Sequence, residues 1–197
     1  MKTGITGGIG SGKSYVCKRL AARGIEVYDC DSAAKRLIRT SADIRQQLTA
    51  LIGPDTYLPA GNNPTGQLEY QLNKAAVAKF LLESEQHAKA IDAIVHPAVF
   101  TDFEQSGLLW MESAILYESG INRLVDRVIV VTAPEEVRIR RVMQRDNISR
   151  EKVMQWMDRQ WPQEEIRRRA DYEIVNDGVA DIDEQIDTIM KKLQLTK

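Results

Sequence analysis

The chain has 197 residues, 27 basic and 28 acidic, for a formal net charge of -1, with 43% hydrophobic and 28% charged side chains. That balance excludes a disordered chain and leaves no overall field to attract nucleic acid or anionic lipid, so any basic site has to be local. The length predicts one domain with inserts, and two cysteines outside any CxxC pattern, Cys17 and Cys30, point to a reducing compartment.

The N-terminus runs directly into a glycine turn without an apolar signal segment, and no later apolar run reaches the ~18 residues of a membrane span. A cytoplasmic protein with no membrane partner is expected. Thr3 to Thr6 reads as a short strand ending at Gly7, followed by a helix with Val16, Leu20 and Ala21 on one face. Gly24 closes that helix, and Ile25 to Tyr28 reads as a second strand with Asp29, Cys30 and Asp31 at its end. If the strand continues, Asp29 and Asp31 point the same way, across from the glycine turn.

From Ser32 to about Ser106 the pattern is helical, broken between Gly53 and Gly66 by Pro54, Pro59, Gly61, Asn62, Asn63 and Pro64. A mobile loop on the substrate side is expected there. Leu108 to Glu112 and Val128 to Val131 read as buried parallel strands. Thr132 with Pro134 and Glu135 signals one helix start, and Ser149 another. Ile174 and Val175 suggest a last strand, and Ile182, Ile186, Ile189, Met190 and Leu193 a closing amphipathic helix.

Gly7-Gly8-Ile9-Gly10-Ser11-Gly12-Lys13-Ser14 fits GxxxxGK[ST] between a strand and a helix, the setting that identifies a phosphate loop. Glycines let the backbone curl around phosphates with its N–H groups inward. Lys13 supplies charge near the β- and γ-phosphates and Ser14 a hydroxyl for Mg²⁺, while the helix dipole faces the same anion. ATP with Mg²⁺ is the expected donor. A guanine-specific switch is disfavoured, because Asn73-Lys74 is followed by Ala75-Ala76 and no DxxG occurs.

A kinase needs a group to take the acceptor hydroxyl's proton, and Asp31 or Asp29 can supply it. It also needs cations for the transferring phosphoryl. Nine of the sixteen arginines lie between Arg138 and Arg169 among nearly as many acids, so most are expected to form surface ion pairs. Arg141 and Arg145, four apart on one helix face, are the pair expected to reach phosphate from a lid. On these residues alone, another small-molecule or nucleotide kinase, or a nucleotide-binding regulatory protein, remains open.

Several separated segments resemble the dephospho-coenzyme A kinase family over nearly the whole chain. They are TGGIGSGKS from Thr6 to Ser14, Tyr28-Asp29-Cys30-Asp31, His96-Pro97, Glu112 to Glu118, then Arg141, Arg145, Gln160, Ala170-Asp171-Tyr172 and Asn176-Asp177-Gly178. Tyr15, Ala114 and Lys74 depart from the family's usual small hydroxyl residue, proline and arginine. The resemblance implies transfer from ATP to the ribose 3′-hydroxyl of dephospho-coenzyme A, with Asp31 as base and Lys13 and Ser14 serving ATP and Mg²⁺.

It further implies that Gly8, Gly10, Ser11, Gly12, Tyr15, Arg141, Arg145 and Asn176 hold the nucleotide, with Asn176 on the adenine side. Asp29, Lys74 and His96 would hold the acceptor. The implied fold is a three-layer α/β P-loop kinase: a parallel core (about 1–31, 107–133 and 171–197), a helical substrate-binding insert (about 32–106) and a lid (about 134–170). Oligomeric state is not legible.

Overall fold

The computed structural model describes residues 1–62, 66 and 68–195. In chain order the elements are β1 (Thr3–Thr6), α1 (Lys13–Ala21), β2 (Val27–Asp29), α2 (Cys30–Thr40), α3 (Ala42–Ile52), β3 (Tyr57–Asn62), β4 (Leu68–Leu72), α4 (Lys74–Glu83) and α5 (Glu85–Ser106). They continue with β5 (Trp110–Glu112), β6 (Arg127–Thr132), α6 (Glu135–Asp146), α7 (Arg150–Met157), α8 (Gln163–Arg169), β7 (Tyr172–Val175) and α9 (Ile182–Leu195). Two compact units result: Met1–Asp29 with Gly107–Lys197, and Cys30–Ser106.

In the first unit, the described strands form a five-stranded, all-parallel sheet in the order β2-β5-β1-β6-β7. Parallel neighbours need helical crossovers, and those helices bury the sheet faces. Ile5, Ile129, Val131 and Ile174 alternate onto one face, where they meet Val16 and Leu20 of α1 and Ile182, Ile186, Ile189 and Leu193 of α9. The α9 residues recur every three or four positions, which keeps one stripe of that helix on the sheet. Arg19 of α1 and Arg23 just beyond its end pair with Asp183 and Asp187 of α9.

Helix α6 begins after Pro134, which offers no side-chain cap, so Thr132 is not its start. Thr132 is instead the last residue of β6, and its hydroxyl donates to Glu173 Oε1 at 2.7 Å. Ser149 does cap α7, accepting from Lys152 N. Ile139, Val142 and Val153 knit α6 to α7, with Ile9 packed against them.

In the second unit, Ile44, Leu48 and Tyr57 centre a core lined by Leu37, Ile38, Tyr70, Leu72, Ile91 and Ile94. The Tyr57 hydroxyl donates to Ile38 O at 2.8 Å. The loop expected between Gly53 and Gly66 is replaced by a 3-10 turn at Pro54–Thr56 and an antiparallel hairpin of β3 with β4. A register shift between Pro59 and Gly61 accommodates the two residues that disguised the strand. Asn63 and Pro64, also assigned to that loop, lie outside the described residues. His96-Pro97 falls inside α5, which runs on through the proline. Among the described residues no helix is long and apolar enough to cross a membrane.

Candidate active site

Strand β1 lies between β5 and β6, and its C-terminal end opens directly into Gly7. This edge of a parallel sheet is where α/β folds place ligands. Gly12 takes a left-handed φ of 96° as it enters α1, with no side-chain cap on the helix and no acidic residue in its first turn. An uncapped helix start carries partial positive charge from its orphan N–H groups, and the first turn holds no carboxylate of its own to compete for it. A Cβ at Gly12 would run into Asn176 Nδ2, so only glycine fits.

Lys13 is buried at the base of the loop. Its Nζ donates to Gly7 O at 2.8 Å and lies 3.8 Å from Glu112 Oε1 at the end of β5. Asp29 stands opposite Glu112 in the β2–β5 register. The two carboxylates are felt at Cys17 of α1: burial first, then Glu112, with Asp29 adding, push its thiol up to about 12 against the opposing charge of Lys13. Ser14, in the first turn of α1, is exposed, and the buried Ser11 hydroxyl has no hydrogen-bond partner among the described residues.

The far side of the loop is gripped by β7 and α6. Asn176 Nδ2 donates to Ser11 O at 2.8 Å, and its Oδ1 accepts from Arg141 Nη2 at 3.2 Å. Arg141 Nη1 also reaches Gly10 O and Ser11 O, each at 3.4 Å. Beside these residues opens a cleft of about 560 Å³, lined by Gly12, Tyr15, Arg141, Asn176, Gly178 and Asp181 among others. Tyr15 is 49% exposed, with the Arg19 guanidinium 5.8 Å from its ring centre. Asp177 accepts from the N–H groups of Val179 and Ala180, which hold its carboxyl below the usual range.

The structure therefore brings Gly8, Gly10, Ser11, Gly12, Lys13, Tyr15, Arg141 and Asn176 around one loop. Arg145 parts from Arg141 and pairs with its neighbour Asp146 at 2.7 Å. Most other arginines of this stretch form surface ion pairs, Arg150 with Glu136 and Arg167, Arg168 and Arg169 with nearby glutamates. Asp31 does not extend β2 alongside Asp29: the chain turns helical at Cys30, and Asp31 sits exposed in the first turn of α2. It belongs to the Cys30–Ser106 unit, as do Lys74 and His96. Lys74 opens α4 after Asn73, whose side chain caps the helix. His96 lies 3.6 Å from Asp92 and stacks on Phe100.

Three contributors escape the motif reading. Glu112 was visible only as part of a family-like segment, Gln160 only as a matching letter, and Arg138 only as one arginine of many. Gln160 Oε1 accepts from Ile9 N at 2.7 Å, and Arg138 Nε donates to Ile9 O at 2.9 Å. A spacing signal existed for Arg138, which precedes Arg141 by three positions on the same helix.

Comparison with known proteins agrees with this geometry. The family model described as dephospho-CoA kinase matches residues 1–181. The dephospho-CoA kinase of Porphyromonas gingivalis is 42% identical over 180 residues, covering 88% of this chain and 84% of its own. That of Bacteroides fragilis is 39% identical over 185 residues, covering 90% and 85%. The solved dephospho-CoA kinase from Campylobacter jejuni superposes with a TM-score of 0.65 at 20% identity, covering 98% of each chain, and so shares the fold. By its phosphate loop, its parallel sheet and these matches, the chain belongs to the dephospho-CoA kinase family.

Proposed function

We propose that the chain transfers the terminal phosphoryl group of ATP to the ribose 3′-hydroxyl of dephospho-CoA, giving CoA and ADP, the last step of CoA biosynthesis. The observation that carries this reading is the loop of Gly7–Ser14, which ends at the uncapped start of α1, where the buried Lys13 reaches back to Gly7 O, in a chain of this family. The Ser11 hydroxyl, buried and without a hydrogen-bond partner among the described residues, fits a bound phosphate chain.

In this reading Asp31 accepts the 3′-hydroxyl proton as that oxygen attacks, which leaves a neutral carboxyl and an ester oxygen. Lys13 exchanges its contact with Gly7 O for the phosphate oxygens, where charge spreads as the bond to ADP breaks. Gly8, Gly10, Ser11 and Gly12 hold the phosphates by their backbone, and Tyr15, Arg141 and Asn176 flank the cleft assigned to the nucleoside. Arg145, freed from Asp146, would join Arg141 on closure of the 134–170 segment as a lid. Asp29, Lys74 and His96 orient the acceptor.

Mg²⁺, when bound, neutralises charge shared between the β- and γ-phosphates. Ser14 is the residue that would hold the ion, through its hydroxyl. The free cysteines support a reducing, cytoplasmic setting, and the balanced charge supports small-molecule rather than nucleic-acid partners.

The test is a mass-resolved transfer assay with Mg-ATP and a panel of dephospho-CoA, nucleoside monophosphates and small sugars or acids. Phosphate gain on dephospho-CoA is expected. Transfer to another acceptor alone would overturn the substrate, and nucleotide binding without turnover would overturn catalysis. Asp31→Asn is expected to abolish transfer while ATP binding persists, and unchanged turnover would remove Asp31 from the mechanism.

A further inference from the structure

Lys13 and Arg138 are the two buried cations among the described residues, at 9% and 7% exposure. Lys13 has an evident task, whereas Arg138 is assigned none by the reading above. Its Nε donates to Ile9 O at 2.9 Å, and a Cβ added to Gly8 would strike the guanidinium, so the fork lies directly over the Gly8–Ile9 peptide. Gln160 takes the other polar group of the same residue, Ile9 N–H, at 2.7 Å. The stretch after β6 thus holds Ile9 from both sides, through the start of α6 and the turn between α7 and α8.

The two ends of the loop are distinguishable. The lysine of a phosphate loop serves the β- and γ-phosphates, and Lys13 Nζ sits at Gly7 O. Gly7–Ile9 is therefore the terminal-phosphate end, and the Arg138 guanidinium lies there, while the Arg138 backbone packs on Gly10. Arg141, one turn further along α6, lies at the opposite end with Gly10, Ser11 and Asn176. Among the described residues no carboxylate forms an ion pair with Arg138, and Glu135 acts on it only at a distance, while burial presses its pKa down. A guanidinium keeps its proton regardless, so the site holds a buried and permanent positive charge with no ion-pair partner among the described residues. Such a charge is unfavourable until an anion arrives beside it.

We propose that Arg138 is a positioning residue for the terminal phosphate: it fixes the Gly8–Ile9 peptide and supplies the charge by which the loop prefers a nucleoside triphosphate to a diphosphate. This rests on the ATP reading above but not on the identity of the acceptor. A purely structural role would weaken both nucleotides together, because both use the same loop; a charge at the terminal-phosphate end weakens the triphosphate selectively.

The experiment is calorimetric titration of the full chain with Mg-ATP and with Mg-ADP, without acceptor, for the wild type, Arg138→Gln and Arg138→Lys. Glutamine can still donate to Ile9 O but has no charge; lysine keeps the charge and loses the fork. Arg138→Gln is expected to lose about tenfold in ATP affinity, the scale of one charge-assisted contact, and less than about twofold in ADP affinity. Arg138→Lys is expected to keep the ATP-to-ADP preference within about threefold. Equal losses for both nucleotides, or none, would overturn the inference. If Arg138→Gln does not fold, Arg138→Lys alone decides, since loss of the preference with the charge retained contradicts it. A wild type that binds neither nucleotide would instead overturn the ATP reading, and this inference with it.

Discussion

Asn176→Ala perturbs the joint between the sheet and the phosphate loop. Asn176 is 8% exposed, and its backbone N–H, which donates to Thr132 O at 2.7 Å, survives the substitution. Two side-chain bonds do not: Nδ2 to Ser11 O at 2.8 Å and Arg141 Nη2 to Oδ1 at 3.2 Å. A neutral hydrogen bond contributes about 1 kcal/mol net, and one to a charged group about 1.5 kcal/mol or more. Ser11 O keeps the longer contact from Arg141, which offsets part of the loss. The expected destabilisation is about 2 kcal/mol, or a fall of about 4–8 °C in melting temperature for a chain of this size. Scanning calorimetry measures it. A double-mutant cycle with Arg141→Ala should return a coupling of about 0.5–1.5 kcal/mol, because the two side chains share one bond. A loss under about 0.5 kcal/mol, or strict additivity, would refute the claim that Asn176 and Arg141 hold the loop as a unit.

Three further outcomes follow from two groups outside that joint. Burial pushes the Cys17 thiol up to about 12, so it stays neutral at pH 8, and iodoacetamide should modify it at least about two orders of magnitude more slowly than a free cysteine, read by peptide mass mapping. The same shift means that above about pH 9 only the unfolded chain ionises this thiol, and stability should fall as pH rises through that range. Alkylation at the free-thiol rate would contradict the burial. Ser149→Ala removes the cap of α7 and should cost about 1 kcal/mol, with faster amide exchange at Lys152 and neighbouring positions; unchanged exchange there would show that the cap is dispensable.

The central strands were legible because a buried parallel strand is a short continuous apolar run, as in Val128 to Val131. The phosphate loop was legible because its chemistry permits so few residue types. What escaped did so for definite reasons. Pro59 and Gly61 break the alternation by which a strand is read, and only a register shift inside the β3–β4 hairpin absorbs them. Asp29 and Asp31 looked like strand neighbours because nothing in Tyr-Asp-Cys-Asp announces that the chain turns helical at Cys30. Within the arginine-rich stretch, Arg138, Arg141 and Arg145 share one helix face, so periodicity cannot rank them. Their roles are divided by their partners: the distant Ile9 carbonyl for Arg138, the distant Asn176 for Arg141 and the adjacent Asp146 for Arg145.

The place of β5 in the sheet bears on how the molecule is made. Met111 is paired with both Gly4 and Tyr28, so β5 is the strand that fills the gap between β1 and β2. A nascent chain that has reached only Ser106 already contains Gly7–Ser14, yet β1 and β2 then have no strand between them and Lys13 has no Glu112 beside it. The Cys30–Ser106 unit, with its own core, is synthesised earlier and closes a long loop before that gap can be filled. Non-local pairing of this kind slows folding. The phosphate grip is thus first in the sequence and among the last parts to be assembled, and a chain cut short of β5 keeps every letter of the motif without the site.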